Sequence, residues 1–216
     1  MHLITDIDTI LLDMDGTLLD LHYDNHFWME LVPKQYARQA NISLSEAHLF
    51  LSSQYSKLSG TLDWYCYDHW SQLLDLDIHQ LQHQSKHKVQ IRSDSLDFLN
   101  KLARLNKPII MLTNAHRSGV AMKMQLTGLS PYFDKIISSH DYQVAKEDLQ
   151  FWQTIQQELK LDFARCLFID DSEKILKVAQ QAGIAHLRGI RAPDSEKPAQ
   201  TMQDFQVLNL FNELFD

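Results

Sequence analysis

Five short runs of apolar residues recur along the chain, and most are separated by segments in which apolar residues follow helical spacing. Such runs are typical of strands buried on both faces of a parallel sheet. The predicted strands cover residues 9–14, 108–112, 135–138, 165–169 and 184–187. Because strands and helices alternate in the second half of the chain, the pattern predicts an α/β fold. The sheet is expected to be parallel, doubly wound and Rossmann-like, with right-handed crossovers.

The interval between the first and second predicted strands contains only helical patterns. Four of them follow one another, over residues 24–40, 43–58, 62–74 and 77–88. Pro33 is expected to bend or divide the first helix, and Ser43-Leu44-Ser45-Glu46 is a capping-box arrangement that begins the second. We therefore predict a core domain of residues 1–19 and 93–216 and an inserted all-α domain of residues 20–92.

The last segment of the chain carries an apolar stripe. Its members are Phe205, Leu208, Phe211, Leu214 and Phe215. An apolar face of this size is normally covered in a globular protein. We expect the stripe to dock on the core, and a dimer interface is the alternative.

Composition and charge describe an ordinary globular chain and narrow the range of partners. The 216 residues are 44% hydrophobic and carry a net charge of −8. This charge argues against sequence-independent binding of nucleic acid and against an anionic membrane surface, and no apolar run is long enough to span a bilayer. Cys66 and Cys166 form no spacing pattern and follow no secretory signal, so a cytoplasmic location is the expectation.

The first predicted strand ends in two carboxylates that are one residue apart. Side chains alternate along a strand, so Asp13 and Asp15 project to one side while Met14 faces the other. Gly16 then lets the backbone turn sharply out of the sheet. Two like charges held this close repel each other, and a cation would relieve the repulsion. The alternative is an acidic turn that merely closes the strand, since Asp-Gly is a common turn pair.

Polar side chains also follow the other strands, and the carboxyl ends of parallel strands meet at one edge of a sheet, where ligands bind. The set that this edge would assemble is Asp13, Asp15, Thr113, Asn114, Lys146, Asp170 and Asp171. Carboxylate oxygens in this number suit Mg²⁺, which keeps several waters and shares its coordination shell with a substrate phosphate. The lysine and the hydroxyl would hold the remaining phosphate oxygens. The combination predicts a phosphoryl-transfer site with a carboxylate nucleophile.

These residues resemble the four ordered motifs of the haloacid dehalogenase-like (HAD) hydrolases. The motifs are Asp13-Met14-Asp15-Gly16-Thr17, Thr113, Lys146 and Asp170-Asp171. The helical insertion corresponds to the C1 cap of that superfamily. A closer resemblance, to bacterial GMP/IMP nucleotidases, extends over almost the whole chain and rests on residues 11–20, 24–25, 27–28, 64–66, 112–116 and 168–173. Many HAD phosphatases have proline directly after the motif lysine, whereas Glu147 follows Lys146 here, so the geometry of that loop is not carried over.

The resemblance implies an aspartyl-phosphate mechanism. Asp13 attacks phosphorus, while Asp15 protonates the leaving oxygen and then takes a proton from the hydrolytic water. The implied magnesium ligands are Asp13, Asp15 through its carbonyl, Asp170 and Asp171, and the implied phosphate ligands are Thr113, Asn114 and Lys146. The implied activity is that of a Mg²⁺-dependent phosphomonoester hydrolase, a 5′-nucleotidase that acts on purine monophosphates such as GMP and IMP.

Two other functions stay open at this point. Sugar-phosphate and phosphoglycolate phosphatases and phosphomutases of the same superfamily share the core and differ in the cap. A catalytically retired HAD domain would keep the fold and serve as a binding module. A dehalogenase is disfavoured, because that chemistry needs neither the second aspartate nor the metal.

Substrate choice is expected to depend on aromatic residues of the insertion. Phe27 and Trp28 are the candidates for stacking on a purine, a contact worth roughly 1–3 kcal/mol in nucleic-acid sites. The helical spacing of Trp64, Tyr67 and Trp70 predicts instead that most of these rings pack in the insertion's own core.

Several other polar residues of the insertion are assigned structural roles. Asp24 and Asn25 could contact the sugar or the base of a substrate, but we expect them to cap the first helix of the insertion. His79, His83 and His87 share one helix face, but no carboxylate orients them in the sequence, so we expect a solvated face and not a metal site.

Overall fold

A six-stranded sheet in which every neighbouring pair of strands is parallel lies at the centre of this computed structural model, which describes residues 3–215. The strands are β1 (Thr9–Leu12), β2 (Ile109–Thr113), β3 (Lys135–Ser138), β4 (Cys166–Ile169), β5 (His186–Ile190) and β6 (Val207–Leu208). Their order is β3-β2-β1-β4-β5-β6, so the winding reverses between β1 and β4. The prediction of a doubly wound α/β fold is confirmed. Residues 1, 2 and 216, which the predicted core domain includes, lie outside the described residues.

Two details of the strand prediction are wrong. The last strand, predicted at residues 184–187, begins two residues later in the structure, as β5. The apolar run did not reveal its position, because half-buried His186 and Arg188 alternate with buried residues in β5 and interrupt the run. β6 has no counterpart in the prediction, because its two residues are too few to show a periodicity.

Nine α-helices are present in the described part of the chain. They are α1 (His22–His26), α2 (Val32–Gln39), α3 (Leu44–Leu58), α4 (Tyr67–Leu74), α5 (Ile78–Ser85), α6 (Ser95–Ala103), α7 (Arg117–Thr127), α8 (Leu149–Leu159) and α9 (Glu173–Gln181). Short 3₁₀ segments cover Leu3–Asp6, Leu62–Tyr65, Lys86–Lys88, Ser130–Tyr132, Ser139–Asp141, Phe163–Arg165 and Phe211–Leu214. None of the helices in residues 3–215 combines the length and the apolar character that crossing a membrane requires.

The central strands supply side chains to two separate hydrophobic cores, one on each face of the sheet. Along β1, Ile10 and Leu12 belong to one core and Leu11 to the other. Met14 continues the first of these sets just beyond the strand. The strand is therefore buried on both faces, as its apolar run predicts. This packing fixes the position of the residues that follow its carboxyl end.

The first helical stretch of the insertion is not divided at Pro33, so of the two predicted effects of this proline, a bend or a division, the division does not occur. α1 continues through a π-helical turn, Phe27–Leu31, directly into α2. Within this turn the Val32 N–H donates to the Phe27 carbonyl. The wider π turn accommodates both the missing N–H of Pro33 and the bulk of its ring, so the helix continues where an α turn would break.

The helices between β1 and β2 have a hydrophobic core of their own. Its buried members are Phe27, Val32, Leu51, Tyr67, Trp70, Leu74 and Ile78. The two connections to the sheet run side by side, since the Asp20 N–H donates to the Gln90 carbonyl at 2.9 Å and the Arg92 N–H donates to the Leu18 carbonyl at 3.0 Å. We propose on these grounds that residues 20–92 act as a cap domain joined to the core by this paired hinge.

The C-terminal stripe docks on the core, as predicted. Leu208, Phe211 and Leu214 are buried in the same hydrophobic cluster as β1. The Phe211 ring stacks on Phe98 of α6, with centroids 4.1 Å apart and planes inclined by 7°. The carboxylate of Asp94, which directly precedes α6, accepts the Phe211 N–H at 2.8 Å.

Truncating the docked ring should destabilise the fold. We expect Phe211→Ala to lower the free energy of unfolding by about 3–5 kcal/mol, because it removes a buried ring and leaves a cavity. Leu210→Ala is the matched control, since the neighbouring Leu210 side chain is 52% exposed. Urea denaturation of both variants measures the difference, and equal midpoints would contradict the docking of this segment.

Candidate active site

A cavity of about 270 Å³ opens at the carboxyl ends of β1, β2 and β4, between the sheet and the helical insertion. The predicted site residues that line it are Asp13, Asp15, Trp28, Thr113, Asn114, Lys146, Asp170 and Asp171. The paired registers of β1 with β2 and of β1 with β4 bring these strand ends to the same level. Phe27 is the one predicted residue that the structure does not bring to the cavity.

Lys146 forms the centre of a buried charge network. Its Nζ atom donates to Asp13 Oδ1 at 2.5 Å, to Asp170 Oδ2 at 2.8 Å and to the Leu112 carbonyl at 3.0 Å. Burial alone would lower the pKa of Lys146, but the two carboxylates raise it above its ordinary value. Burial also raises the pKa of Asp13 to about 7, where the Lys146 charge opposes the shift. The lysine therefore stays charged and holds both aspartates in place.

The loop after the motif lysine connects the insertion to the core. The Lys146 N–H donates to Asn114 Oδ1 at 2.9 Å, and the Lys146 carbonyl accepts from Trp152 Nε1 at 2.8 Å. Glu147, at the position where related enzymes often have proline, accepts from Asn114 Nδ2 at 2.8 Å and from the Tyr65 hydroxyl at 2.7 Å. Glu147 thus holds the loop without proline, a contact that the sequence analysis did not anticipate.

Thr113 ends β2 and Asn114 follows it, and both residues line the cavity. The Thr113 hydroxyl oxygen accepts the Ala115 N–H at 3.0 Å. This bond fixes the side chain and leaves the hydroxyl proton free for an acceptor in the cavity. Both side chains are almost completely buried, so a ligand that reaches them has lost most of its water.

Three aspartates form a group that could hold a cation. One carboxylate oxygen from each of Asp13, Asp170 and Asp171 lies within 4.8 Å of the others. Asp170 already accepts hydrogen bonds on both oxygens, from Lys146 and from the Ser172 N–H at 2.8 Å. The Asp171 carboxylate accepts none from the described residues, and burial together with Asp170 and Asp13 raises its pKa well above the usual range. A hard divalent cation fits a group of carboxylate oxygens this close together.

Gly16 makes room for this carboxylate. A Cβ atom at position 16 would lie 2.5 Å from Asp171 Oδ2, and the backbone there has a φ of +79°. Any other residue would both strain the backbone and push Asp171 away. Gly16 is therefore required by close packing against a candidate metal ligand as well as by the turn.

A second buried lysine, absent from the sequence analysis, holds the other aspartate of the pair. Lys123 Nζ of α7 donates to Asp15 Oδ1 at 2.7 Å and to both oxygens of Asp24 at 2.8 Å. Asp24 is therefore not a helix cap, which corrects the prediction, and burial with the nearby Asp15 charge raises its pKa to about 7. A signal existed in the sequence, since Lys123 follows Val120 by three residues and so occupies a core-facing position of the helix.

The aromatic residues divide between the cavity wall and the interior of the insertion. Trp28, Trp64, Tyr65 and Tyr67 line the cavity. Phe27 is 1% exposed and packs edge-on against Trp28 at a centroid distance of 5.0 Å. The prediction that Phe27 contacts the substrate is thus corrected to a packing role, because it faces the helical core from within the π-helical turn.

Two further polar assignments are revised. The Asn25 amide lines the cavity and donates to Asp194 Oδ2 at 2.7 Å, so it does not cap α1.

His79 lies on the face expected to be solvated, but its ring contacts Ser118 Oγ at 3.0 Å and Asp68 Oδ1 at 2.8 Å. Among the described residues, His79, His83 and His87 do not form a metal-ligating group.

The fold and the grouped carboxylates and lysine define the class of protein. The sequence model of a haloacid dehalogenase-like hydrolase matches residues 7–183. The chain belongs to the haloacid dehalogenase-like hydrolases, and the prediction of an enzyme of the phosphatase class is confirmed.

Individual relatives cover nearly the whole chain. The GMP/IMP nucleotidases YrfG of Escherichia coli (strain K12) and of Shigella flexneri are each 40% identical to it over 209 residues, which represent 97% of this chain and 94% of the relative. A solved HAD phosphatase from Thermococcus onnurineus has a TM-score of 0.79 at 24% identity and covers 96% of both chains. A HAD family enzyme from Bacteroides thetaiotaomicron, described in complex with magnesium and inorganic phosphate, has a TM-score of 0.63 at 20% identity, covering 88% of this chain and 97% of its own. The two solved structures show that the fold is shared.

Removing the Lys123 charge should destabilise the folded protein. In Lys123→Met, Asp15 and Asp24 would lose their common counter-ion, and we expect the free energy of unfolding near neutral pH to fall by about 3–5 kcal/mol. Adding Asp24→Asn should recover part of the loss, since it removes one of the two unpaired charges.

Lys34→Met is the matched control for this measurement. Lys34 pairs with Glu30 at 3.1 Å, but both side chains are about half exposed, so the change should cost less than about 1 kcal/mol. Chemical denaturation of the three variants measures these differences. A loss in Lys123→Met no larger than in the control would show that the buried network does not stabilise the fold.

Proposed function

We propose that the protein is a Mg²⁺-dependent 5′-nucleotidase that hydrolyses purine monophosphates such as GMP and IMP through an aspartyl-phosphate. The observation that carries the proposal is one continuous cavity with two unlike ends. Carboxylates and a buried lysine form one end, and the aromatic rings of the insertion form the other. The 40% identity to GMP/IMP nucleotidases over nearly the whole chain supports this choice of substrate.

The carboxylate group at the sheet edge supports the assignment of the metal. Asp13, Asp170 and Asp171, with the backbone carbonyl of Asp15, would hold Mg²⁺, and Asp170 would also position Lys146 beside them. When bound, the ion neutralises charge on the phosphoryl oxygens. Excess negative charge among these aspartates favours the binding of a cation even before substrate arrives.

Asp13 is the proposed nucleophile. Lys146 donates to its Oδ1 atom, which leaves Oδ2 to attack phosphorus. The new bond joins this oxygen to phosphorus, and the bond from phosphorus to the nucleoside oxygen breaks. The Thr113 hydroxyl and the Asn114 backbone bind phosphoryl oxygens. The positive charge of Lys146 offsets the negative charge of these oxygens.

Asp15 is the proposed acid and base. It gives a proton to the departing nucleoside oxygen in the first step. In the second step it takes a proton from the water that attacks the aspartyl-phosphate, so that phosphate leaves and Asp13 is regenerated. Lys123 holds Oδ1 of Asp15, which orients the carboxyl group and leaves Oδ2 for the proton transfers.

The aromatic wall is the proposed base-binding surface. Trp28 and Trp64 line the cavity with ring centroids 6.4 Å apart and planes inclined by 31°. Tyr65 is anchored by its bond to Glu147. A flat purine can stack on such rings, whereas a sugar phosphate offers no aromatic face, and this difference favours a nucleotide over the alternatives within the superfamily.

A panel of phosphomonoesters tests the proposed function directly. We expect Mg²⁺-dependent, EDTA-sensitive release of phosphate, with GMP and IMP preferred over sugar phosphates and phosphoglycolate. Asp13→Asn should lose nearly all turnover while the protein stays folded, because the substitution conserves shape, leaves Asp170 as a counter-ion for Lys146 and removes the nucleophile. Cleavage of a sugar phosphate with GMP and IMP untouched would exclude the substrate assignment, and wild-type turnover by Asp13→Asn would exclude the mechanism.

Substitution of one cavity ring should separate recognition of the base from the chemistry. In Trp28→Leu the loss of stacking, about 1–3 kcal/mol, should lower kcat/KM for GMP by roughly 5- to 150-fold. The value for a small aryl phosphate should change much less. Phe50→Leu is the control, because Phe50 is a partly buried ring at the edge of the same helical core that does not line the cavity. An equal loss for both substrates would argue against base stacking on Trp28.

A further inference from the structure

Outside the carboxylate site, one cysteine and two histidines from distant parts of the chain lie together. Cys66 is the extended residue between the 3₁₀ segment Leu62–Tyr65 and α4, His116 directly precedes α7, and His140 lies in the 3₁₀ segment after β3. One sulfur or nitrogen atom of each lies within 4.8 Å of the others. We propose that Cys66, His116 and His140 form a second metal site, which takes a divalent ion of the zinc class.

The donor set selects the kind of ion. A thiolate and two imidazoles suit Zn²⁺ or Co²⁺, whereas Mg²⁺ prefers oxygen ligands. Bond lengths of about 2.3 Å to sulfur and about 2.0 Å to nitrogen place tetrahedral ligand atoms about 3.5 Å apart. Side-chain rotations that move these atoms by about 1 Å therefore close the site. Three protein ligands leave the fourth position to water.

The two histidines each have a nitrogen available for an ion. His140 Nε2 is buried and makes no hydrogen bond with the described residues, although the Tyr65 and Asn114 carbonyls face its ring. His116 Nδ1 lies 2.9 Å from Ser118 Oγ. Nδ1 also accepts the Ser118 N–H at 3.3 Å, and Nε2 lies 3.4 Å from Asp68 Oδ2. Binding of an ion through Nε2 therefore requires the other tautomer, in which Nδ1 donates to Ser118 Oγ and this outer hydrogen bond orients the ring, as in other metal sites.

Charge at the site also favours a cation. Asp68 Oδ2 lies 3.4 Å from His116 Nε2, and its side chain is 74% exposed. Cys66 is partly exposed as well, so the ion has a path from solvent. No lysine or arginine of the described residues forms a salt bridge with Asp68.

The position of the site suggests what an ion would do. Cys66 follows Tyr65 and precedes Tyr67, both of which line the substrate cavity. His116 and His140 belong to the core. His116 directly follows Asn114 and Ala115, which also line the cavity, and the Asn114 carbonyl faces the His140 ring. The ion would fasten the aromatic wall of the insertion to the phosphate end of the cavity. It would stabilise the closed arrangement and take no part in the hydrolysis.

Cobalt binding in excess Mg²⁺ tests the proposal, because Mg²⁺ occupies the carboxylate site and Co²⁺ reports its ligands in its absorption. For the metal-stripped wild type we expect about one equivalent of Co²⁺, tetrahedral visible bands and a near-ultraviolet sulfur-to-cobalt band. Zn²⁺ at about a hundredfold excess over Kd should raise Tm by about 5–10 °C. Neither result depends on the proposed phosphatase substrate, so a failure here and a failure of the substrate panel are separate findings.

Matched variants identify the ligands. Cys66→Ser should lose the sulfur-to-cobalt band, and His140→Gln should weaken Co²⁺ binding at least about tenfold while the protein stays folded. Cys166→Ser, which can keep the hydrogen bond of this other, buried cysteine to the Asp162 carbonyl, should bind like the wild type. The absence of Co²⁺ binding in excess Mg²⁺, a band that persists in Cys66→Ser, or binding unaffected by His140→Gln would each overturn the three-ligand site.

Discussion

The site depends on two ion pairs, which the buried Lys146 forms with Asp13 and with Asp170. Moving a charged group out of water costs several kcal/mol, and only close, well-oriented partners repay that cost. Lys146 meets this requirement because β1 and β4 are in register, Leu12 opposite Ile169, so that the carboxylates beyond them flank its ammonium group. The architecture of the sheet is thus what makes an ionised lysine possible at this depth, and it fixes the proposed nucleophile at the same time.

The two aspartates of the first motif have separate counter-ions, and this separation fits their different proposed tasks. Asp13 is bound from the loop after β3 by Lys146, whereas Asp15 is bound from α7 by Lys123. Lys123 also holds Asp24 of the insertion. The proposed acid–base residue is therefore fixed by a contact that includes the insertion, while the proposed nucleophile is fixed within the core alone. A displacement of the insertion would therefore disturb the contacts of Asp15 before those of Asp13.

The fold was predictable from the sequence, but the support of the site was not. Apolar runs such as residues 9–14 reveal strands buried on both faces, and parallel pairing then brings their ends together, so Asp13, Thr113 and Asp170 could be grouped in advance. The partners of Lys123 and Glu147 could not be predicted in this way. The spacing of Lys123 from Val120 indicates only that this lysine faces the core, and the order of the strands does not say which side chains of the insertion meet Lys123 or Glu147. Local rules also gave Asp24 a capping role and predicted a bend or a division at Pro33. In the structure Asp24 instead pairs with Lys123, and a π turn directly before Pro33 keeps the helix undivided.

The insertion and the core meet through polar bonds as well as packing, which has a consequence for selectivity. Tyr65 of the insertion donates to Glu147, and Glu147 accepts from Asn114 at the phosphate end of the cavity. The aromatic wall is therefore linked by one carboxylate to the residues proposed to bind phosphate. Hydrogen bonds to a charged group are short and directional, so this link sets the distance between wall and nucleophile. In the proposed function a substrate would span that distance, with its phosphate at Asp13 and a flat group at Trp28, and a nucleoside monophosphate has both groups in one molecule.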